Sequence, residues 1–171
     1  MRKAVLAASL IGTVLLCVSP AQAADKAGAV LKDANGKEVG RATLTDTPSG
    51  VLIRLDLTSV PAGDHAFHIH AVGTCEPPDF KSAGPHFNPD RTKHGLENAE
   101  GPHAGDMPNL HVPADGGLSI EVLNVDATLS GDFALLDEDG AAFVLHAGPD
   151  DYQTDPSGNA GGRIACGVIA P

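Results

Sequence analysis

The chain has 171 residues, with 11 Lys and Arg against 22 Asp and Glu, eight His, three Cys, 20 Gly and 13 Pro. That length suits one domain, because two cores of half the size would each be hard to stabilise, and 42% hydrophobic with 19% charged residues excludes wholesale disorder. A net charge of −11, 4% aromatics and no Trp exclude a nucleic-acid binder, which needs a basic face and rings for stacking.

At the N-terminus, Arg2 and Lys3 precede an apolar stretch from Ala4 to Val18, and Ser19-Pro20-Ala21-Gln22-Ala23 supplies the small-x-small pattern that signal peptidase reads. A leader is therefore expected over residues 1–23, removed after Ala23, followed by one domain over 24–171. The apolar stretch is short for a membrane span and no other comes close, so no span is expected after cleavage. Cys17 opens a lipoprotein alternative, against which stands the bulky Leu16 before it. Loss of the leader removes two bases and no acids, leaving nine bases against 22 acids, a net −13. Cys75 and Cys166 then remain, and in an exported protein two cysteines pair most simply with each other. Such a link closes a loop of 91 positions, for which the chain-entropy account gives roughly 4–5 kcal/mol of stabilisation.

Beyond the leader the pattern is all-β. Runs over Gly28–Lys32 and Glu38–Asp46 flank Asn35-Gly36, a strong hairpin signal. After the turn Thr47-Pro48-Ser49-Gly50, Val51, Ile53, Leu55 and Leu57 alternate with Leu52, Arg54, Asp56 and Thr58, which reads as a half-buried strand. Pro61-Ala62-Gly63-Asp64 turns into a strand from His65 to Val72, and later strands are expected at 118–129, 133–136, 141–146 and 163–169. Short alternating strands broken by Gly, Pro and Asp turns predict an antiparallel β-sandwich or barrel. Between Gly73 and Gly117 the chain is rich in Pro, Gly, Asn, Asp and His and shows no strand pattern. A structureless loop of that length in a small domain needs an ordering agent, and metal is the obvious one.

The histidines supply the ligands. In Gly63-Asp64-His65-Ala66-Phe67-His68-Ile69-His70, strand alternation projects His68 and His70 together, a two-pronged metal grip, while His65 falls with Phe67 and Ile69 and reads as a buried hydrogen-bonding residue. A lone His-x-His pair is weak evidence. The loop adds weight, because His86, His94, His103 and Asp106 make a sensible tetrahedral zinc set, and His146 ends a strand from which it can join the grip.

These residues carry a resemblance. His65-Ala66-Phe67-His68-Ile69-His70, then Gly84-Pro85-His86-Phe87-Asn88-Pro89, His94, His103 and Asp106, and the terminal run Gly158-Asn159-Ala160-Gly161-Gly162-Arg163-Ile164-Ala165-Cys166-Gly167-Val168-Ile169 resemble copper–zinc superoxide dismutase in order and gaps. The leader and the segment Cys75-Glu76-Pro77-Pro78-Asp79-Phe80-Lys81 resemble the exported bacterial branch. The resemblance implies a Greek-key, immunoglobulin-like sandwich or barrel with a long metal-binding loop, located in the periplasm as a monomer or homodimer. It implies copper on His68, His70, His86 and His146, and zinc on His86, His94, His103 and Asp106, with His86 shared. Asp150 would link the two sites, Arg163 would hold the superoxide anion, and Cys75–Cys166 would tether the loop beside Arg163. The implied activity is disproportionation of superoxide to dioxygen and hydrogen peroxide.

The residue types suit that chemistry: four imidazoles fit Cu(II), and a zinc set of three His and one Asp leaves no open position. There is no Lys between His146 and Arg163, so attraction of an anion to so acidic a chain must come from local sources such as Arg163, the metals, Lys81 or Lys93. His111 matches no ligand position and reads as a loop surface residue. Two other classes stand for comparison. A copper/zinc store would need no substrate-binding arginine, and a zinc hydrolase would need an open zinc position with a nearby base.

Overall fold

A computed structural model describes residues 25–171. The expected leader, Cys17 included, lies outside the described residues. The described residues form nine strands, β1 (Lys26–Asp33), β2 (Glu38–Thr47), β3 (Gly50–Leu57), β4 (Gly63–His65), β5 (Phe67–His70), β6 (Leu110–Val112), β7 (Leu118–Asn124), β8 (Ala141–His146) and β9 (Arg163–Ile169), with one 3-10 turn at Lys81–Ala83. Seven form an antiparallel sheet in the order β5-β8-β9-β1-β2-β3-β7, and β4 pairs with β6. The neighbours β3–β7, β5–β8 and β1–β9 are distant in sequence, so the sheet is connected by Greek-key crossovers rather than by hairpins alone. No helix among the described residues is long and apolar enough to cross a membrane.

The alternating pattern of β3 buries Val51, Ile53, Leu55 and Leu57 and leaves Arg54 and Asp56 exposed. The two strands at the other end of the sheet behave differently. Both faces of β5 and β8 are buried: Phe67, Ile69, Phe143 and Leu145 enter the main core, where the Phe67 and Phe143 rings stack with centroids 4.9 Å apart. The opposite face of β8 places Ala142 and Val144 in a small cluster with Phe80, Ala83 and Cys166. Cys75 and Cys166 are bonded, with Cα atoms 5.7 Å apart, so the loop after β5 is tied to β9.

Four expectations need correction. The strand expected from His65 to Val72 breaks at Ala66, because β4 pairs with β6 whereas β5 pairs with β8. Ala66 lies between the two: its N–H donates to the Gly148 carbonyl, beyond the end of β8, and its carbonyl accepts from His146, the last residue of β8. The stretch read as strandless contains β6, which β4 recruits. The strand expected to reach Leu129 ends at Asn124, whose side chain accepts the Asp126 N–H and donates to the Ala104 carbonyl at 2.7 Å. Residues 133–136 form no strand. Phe133 sits at φ 56°, and only a single bridge joins Thr128 to Ala134.

Candidate metal centre

On β5, His68 and His70 project to the face opposite Phe67 and Ile69, as alternation requires. Antiparallel pairing of Phe67 with Leu145 carries the end of β8 alongside, which delivers His146. His86 arrives on a loop that adds a short bridge to the edge of β5: the Phe87 N–H donates to the Ile69 carbonyl and the Ala71 N–H to that of Pro85, both at 2.9 Å. The four rings are buried, and one nitrogen of each lies within 4.8 Å of those of the others.

Each ring spends one nitrogen on the protein and turns the other toward the shared centre. His68 Nε2 lies 2.8 Å from Asp150 Oδ2, His70 Nδ1 lies 2.9 Å from the Gly84 carbonyl, and His146 Nδ1 faces the Gly161 carbonyl at 3.4 Å. His86 Nδ1 lies 2.8 Å from Asp106 Oδ1. The remaining atoms, His68 Nδ1 and the Nε2 atoms of His70, His86 and His146, are buried without a hydrogen-bond partner among the described residues. A buried unsatisfied nitrogen costs about 1–3 kcal/mol, so four aimed at one point fit a cation that accepts imidazole donors.

The second cluster contains no strand. Three Nδ1 atoms surround Asp106 Oδ1: His86 at 2.8 Å, His94 at 3.0 Å and His103 at 3.4 Å. Asp106 Oδ2 accepts the N–H groups of Gly95 and His103 at 2.9 and 3.0 Å, which turns Oδ1 toward the rings. This compact set of three imidazoles and one carboxylate suits zinc. His86 belongs to both clusters, and Asp150 connects them, with Oδ2 on His68 and Oδ1 2.9 Å from His94 Nε2. Gly158 covers that link at φ 62°. A Cβ there would lie 1.8 Å from Asp150 Oδ1 and 2.7 Å from His94 Nε2, so the position requires glycine on two counts.

Electrostatics divide the clusters. Burial pushes His70 down to about 2 and His146 to about 3. Burial also lowers His86 to about 4, although Asp106 opposes it. For His94 burial acts downward too, but hydrogen bonds to Asp106 and Asp150 outweigh it and raise the ring to about 9. Burial would raise both carboxyls; instead the rings of His103, His86 and His94 hold Asp106, and those of His68 and His94 hold Asp150, well below the usual carboxylate range.

A cleft of about 910 Å³ opens over the first cluster and is lined by His70, His86, His146 and Arg163, with Arg91, Lys93, Asp137, Asp139 and Asp155 among the other lining residues. Arg163 donates from Nη1 to the Phe80 carbonyl and from Nη2 to that of Gly84, both at 2.7 Å; the Gly84 oxygen also faces His70. Lys81 lies 2.8 Å from Asp79, and Lys93 3.2 Å from Asp155, so each candidate steering lysine has an acid beside it. Arg91, which carries no motif signal, lines the cleft without an ion pair among the described residues. His65 is buried outside both clusters, with its ring nitrogens 2.8 Å from the His146 carbonyl and 2.9 Å from that of Pro61, as a hydrogen-bonding histidine should be. His111 is exposed, but on β6 rather than in a loop, 2.6 Å from Asp64.

A curled antiparallel sheet carrying two buried ligand clusters that share one ring defines a two-site metalloprotein. Residues 38–169 match the family described as copper/zinc superoxide dismutase. The Cu-Zn superoxide dismutase 1 of Aquifex aeolicus is 52% identical over 147 residues, covering 84% of this chain and 87% of that protein. The same organism's Cu-Zn superoxide dismutase 2 is 50% identical over 167 residues, covering 96% and 98%. Among solved structures, a double mutant of a SOD-like protein from Bacillus subtilis has a TM-score of 0.81 at 42% identity, covering 84% of this chain and 97% of that one. The chain belongs to the copper/zinc superoxide dismutase family.

Proposed function

We propose that this chain disproportionates superoxide to dioxygen and hydrogen peroxide with copper on His68, His70, His86 and His146 and zinc on His86, His94, His103 and Asp106. The observation that carries the assignment is the convergence of four unpartnered, buried ring nitrogens on one point beneath a cleft that contains an arginine. Held by these residues, copper would supply one-electron chemistry through its two accessible oxidation states.

The protein's own groups do the rest. Arg163, its guanidinium aimed by two carbonyls, binds the anion by charge and hydrogen bonding. His86 Nε2 would hold one of the two protons that peroxide needs whenever that nitrogen is free of metal, the other coming from water. Asp150 fixes the orientation of His68 and His94. His65 braces the main chain of His146.

The test is metal content together with superoxide decay for the purified chain, with and without chelator. One copper and one zinc per chain, with chelator- and cyanide-sensitive decay, is the expected result. Stoichiometric metal without turnover would instead make the chain a metal store, a reading that a relative named only as SOD-like keeps relevant. Export with cleavage after Ala23 and a periplasmic location complete the proposal, supported by the leader pattern and by the Cys75–Cys166 bond, which suits an oxidising compartment. N-terminal sequencing of the periplasmic protein should begin at Ala24, and sedimentation should return a monomer or homodimer.

A further inference from the structure

Asp150 sits between the two clusters on a connection, residues 147–162, that contains neither strand nor helix. Its placement therefore depends on contacts from outside that connection. Tyr152, inside the connection, makes one contact to Asp150 itself and two to segments outside. Its N–H donates to Asp150 Oδ1 at 2.7 Å, its hydroxyl oxygen accepts the Asn109 N–H at 2.6 Å, and its carbonyl accepts the Glu97 N–H at 3.0 Å. Asn109 in turn clasps the Asp150 main chain from both sides: Nδ2 donates to the Asp150 carbonyl and Oδ1 accepts the Asp150 N–H, each at 2.8 Å.

Two further features show how tight this junction is. A Cβ at Gly95, the residue after His94, would lie 2.1 Å from the Tyr152 carbonyl. Tyr152 itself holds φ 63°, a conformation costly for any residue with a side chain and one that persists only where surrounding contacts enforce it.

We propose that Tyr152 is a positioning residue. Together with Asn109 it ties the Asp150 connection to the segment bearing His94, His103 and Asp106, and thereby registers the Asp150 carboxylate between His68 and His94. Tyr152 touches neither metal nor substrate and acts only through Asp150. The proposal rests on the reading of the two clusters as metal sites.

The chain supplies its own probe, since Tyr152 is the single tyrosine and there is no Trp. In the metal-loaded wild type, tyrosine fluorescence should change in step with zinc withdrawal by a competing chelator; a signal indifferent to zinc would overturn the proposal. In Tyr152→Phe, which removes one oxygen and keeps the ring, zinc affinity should fall about 10- to 100-fold, and the electron paramagnetic spectrum of bound copper should change as the His68 ring loses its register. A variant that melts earlier yet keeps wild-type zinc affinity and copper spectrum would make the hydroxyl merely structural and overturn the proposal. Asn109→Ala should reproduce both changes, and the double variant should do little more than the larger single one. Losses that multiply would assign the residues to independent roles and overturn the shared tie. Wild-type protein that binds neither metal would remove the underlying reading, and this proposal with it; wild type that binds both, beside an unaltered Tyr152→Phe, overturns this proposal alone.

Discussion

The two ligand clusters are built in opposite ways. His68, His70 and His146 stand on β5 and β8, whose ladder and stacked core rings hold them in place. His94, His103 and Asp106 stand on irregular chain and are held by one another, through a carboxylate that faces three rings and accepts two main-chain N–H groups. The strand-borne His70 and His146 are low in basicity because burial outweighs the hydrogen bonds that their rings make to carbonyls. The loop-borne His94 is high because two carboxylates hold it. Burial on the sheet thus keeps His70 and His146 neutral without a carboxylate, whereas the loop set gathers around one.

The largest effect should come from Asp106→Ala. Breaking a buried ionic set costs about 3–5 kcal/mol, so the melting temperature should drop and zinc content should fall close to zero, while copper content of the strand-borne cluster stays near one per chain. Loss of both metals together would erase the contrast between scaffolds. Next comes Gly158→Ala, whose Cβ would collide with Asp150 and His94. Zinc affinity, read by chelator competition, should weaken about 10- to 100-fold as their link is displaced. Arg163→Ala should act on the cleft alone. A charge-assisted hydrogen bond contributes about 1.5–3 kcal/mol, so kcat/KM should fall at least about tenfold with metal content unchanged.

The electrostatic half of the contrast predicts a pH signature for the metal-stripped chain. His70, His86 and His146 are lowered from 6.5 to about 2, 4 and 3, so below 6.5 the unfolded chain takes up protons that the folded chain refuses, and stability falls as pH drops. His94 is raised to about 9, so its contribution is complete below 6.5 and is lost as pH rises through 9. Melting temperature should therefore peak near neutrality and decline on both sides. Zinc should abolish the alkaline limb, because a ligand ring gives up that proton. The smallest effect belongs to the rim: Lys81→Ala and Lys93→Ala should alter low-salt turnover by less than about twofold, since each exposed ammonium is already paired with an aspartate.

Much of this was legible along the chain. The bounds of β8 and β9 follow from apolar runs ending at His146 and beginning at Arg163, and the shared face of His68 and His70 follows from strand alternation. The ligand set came from motif order. The break at Ala66 was hidden, because Phe67 and Ile69 continue an unbroken pattern and only the change of partner from β6 to β8 divides it. Strand β6 was hidden for another reason, since Leu110–Val112 is too short to announce itself.

Strand period and the common face of His68 and His70 are carried by neighbours in the chain, so residue type and spacing were enough to read them. The carbonyls of Gly84 and Gly161 that orient His70 and His146, the aim of Arg163 and the clasp of Asn109 on Asp150 belong to another category. Every residue has a carbonyl and all but proline an N–H, and which of them meets a given side chain depends on how distant segments fold together.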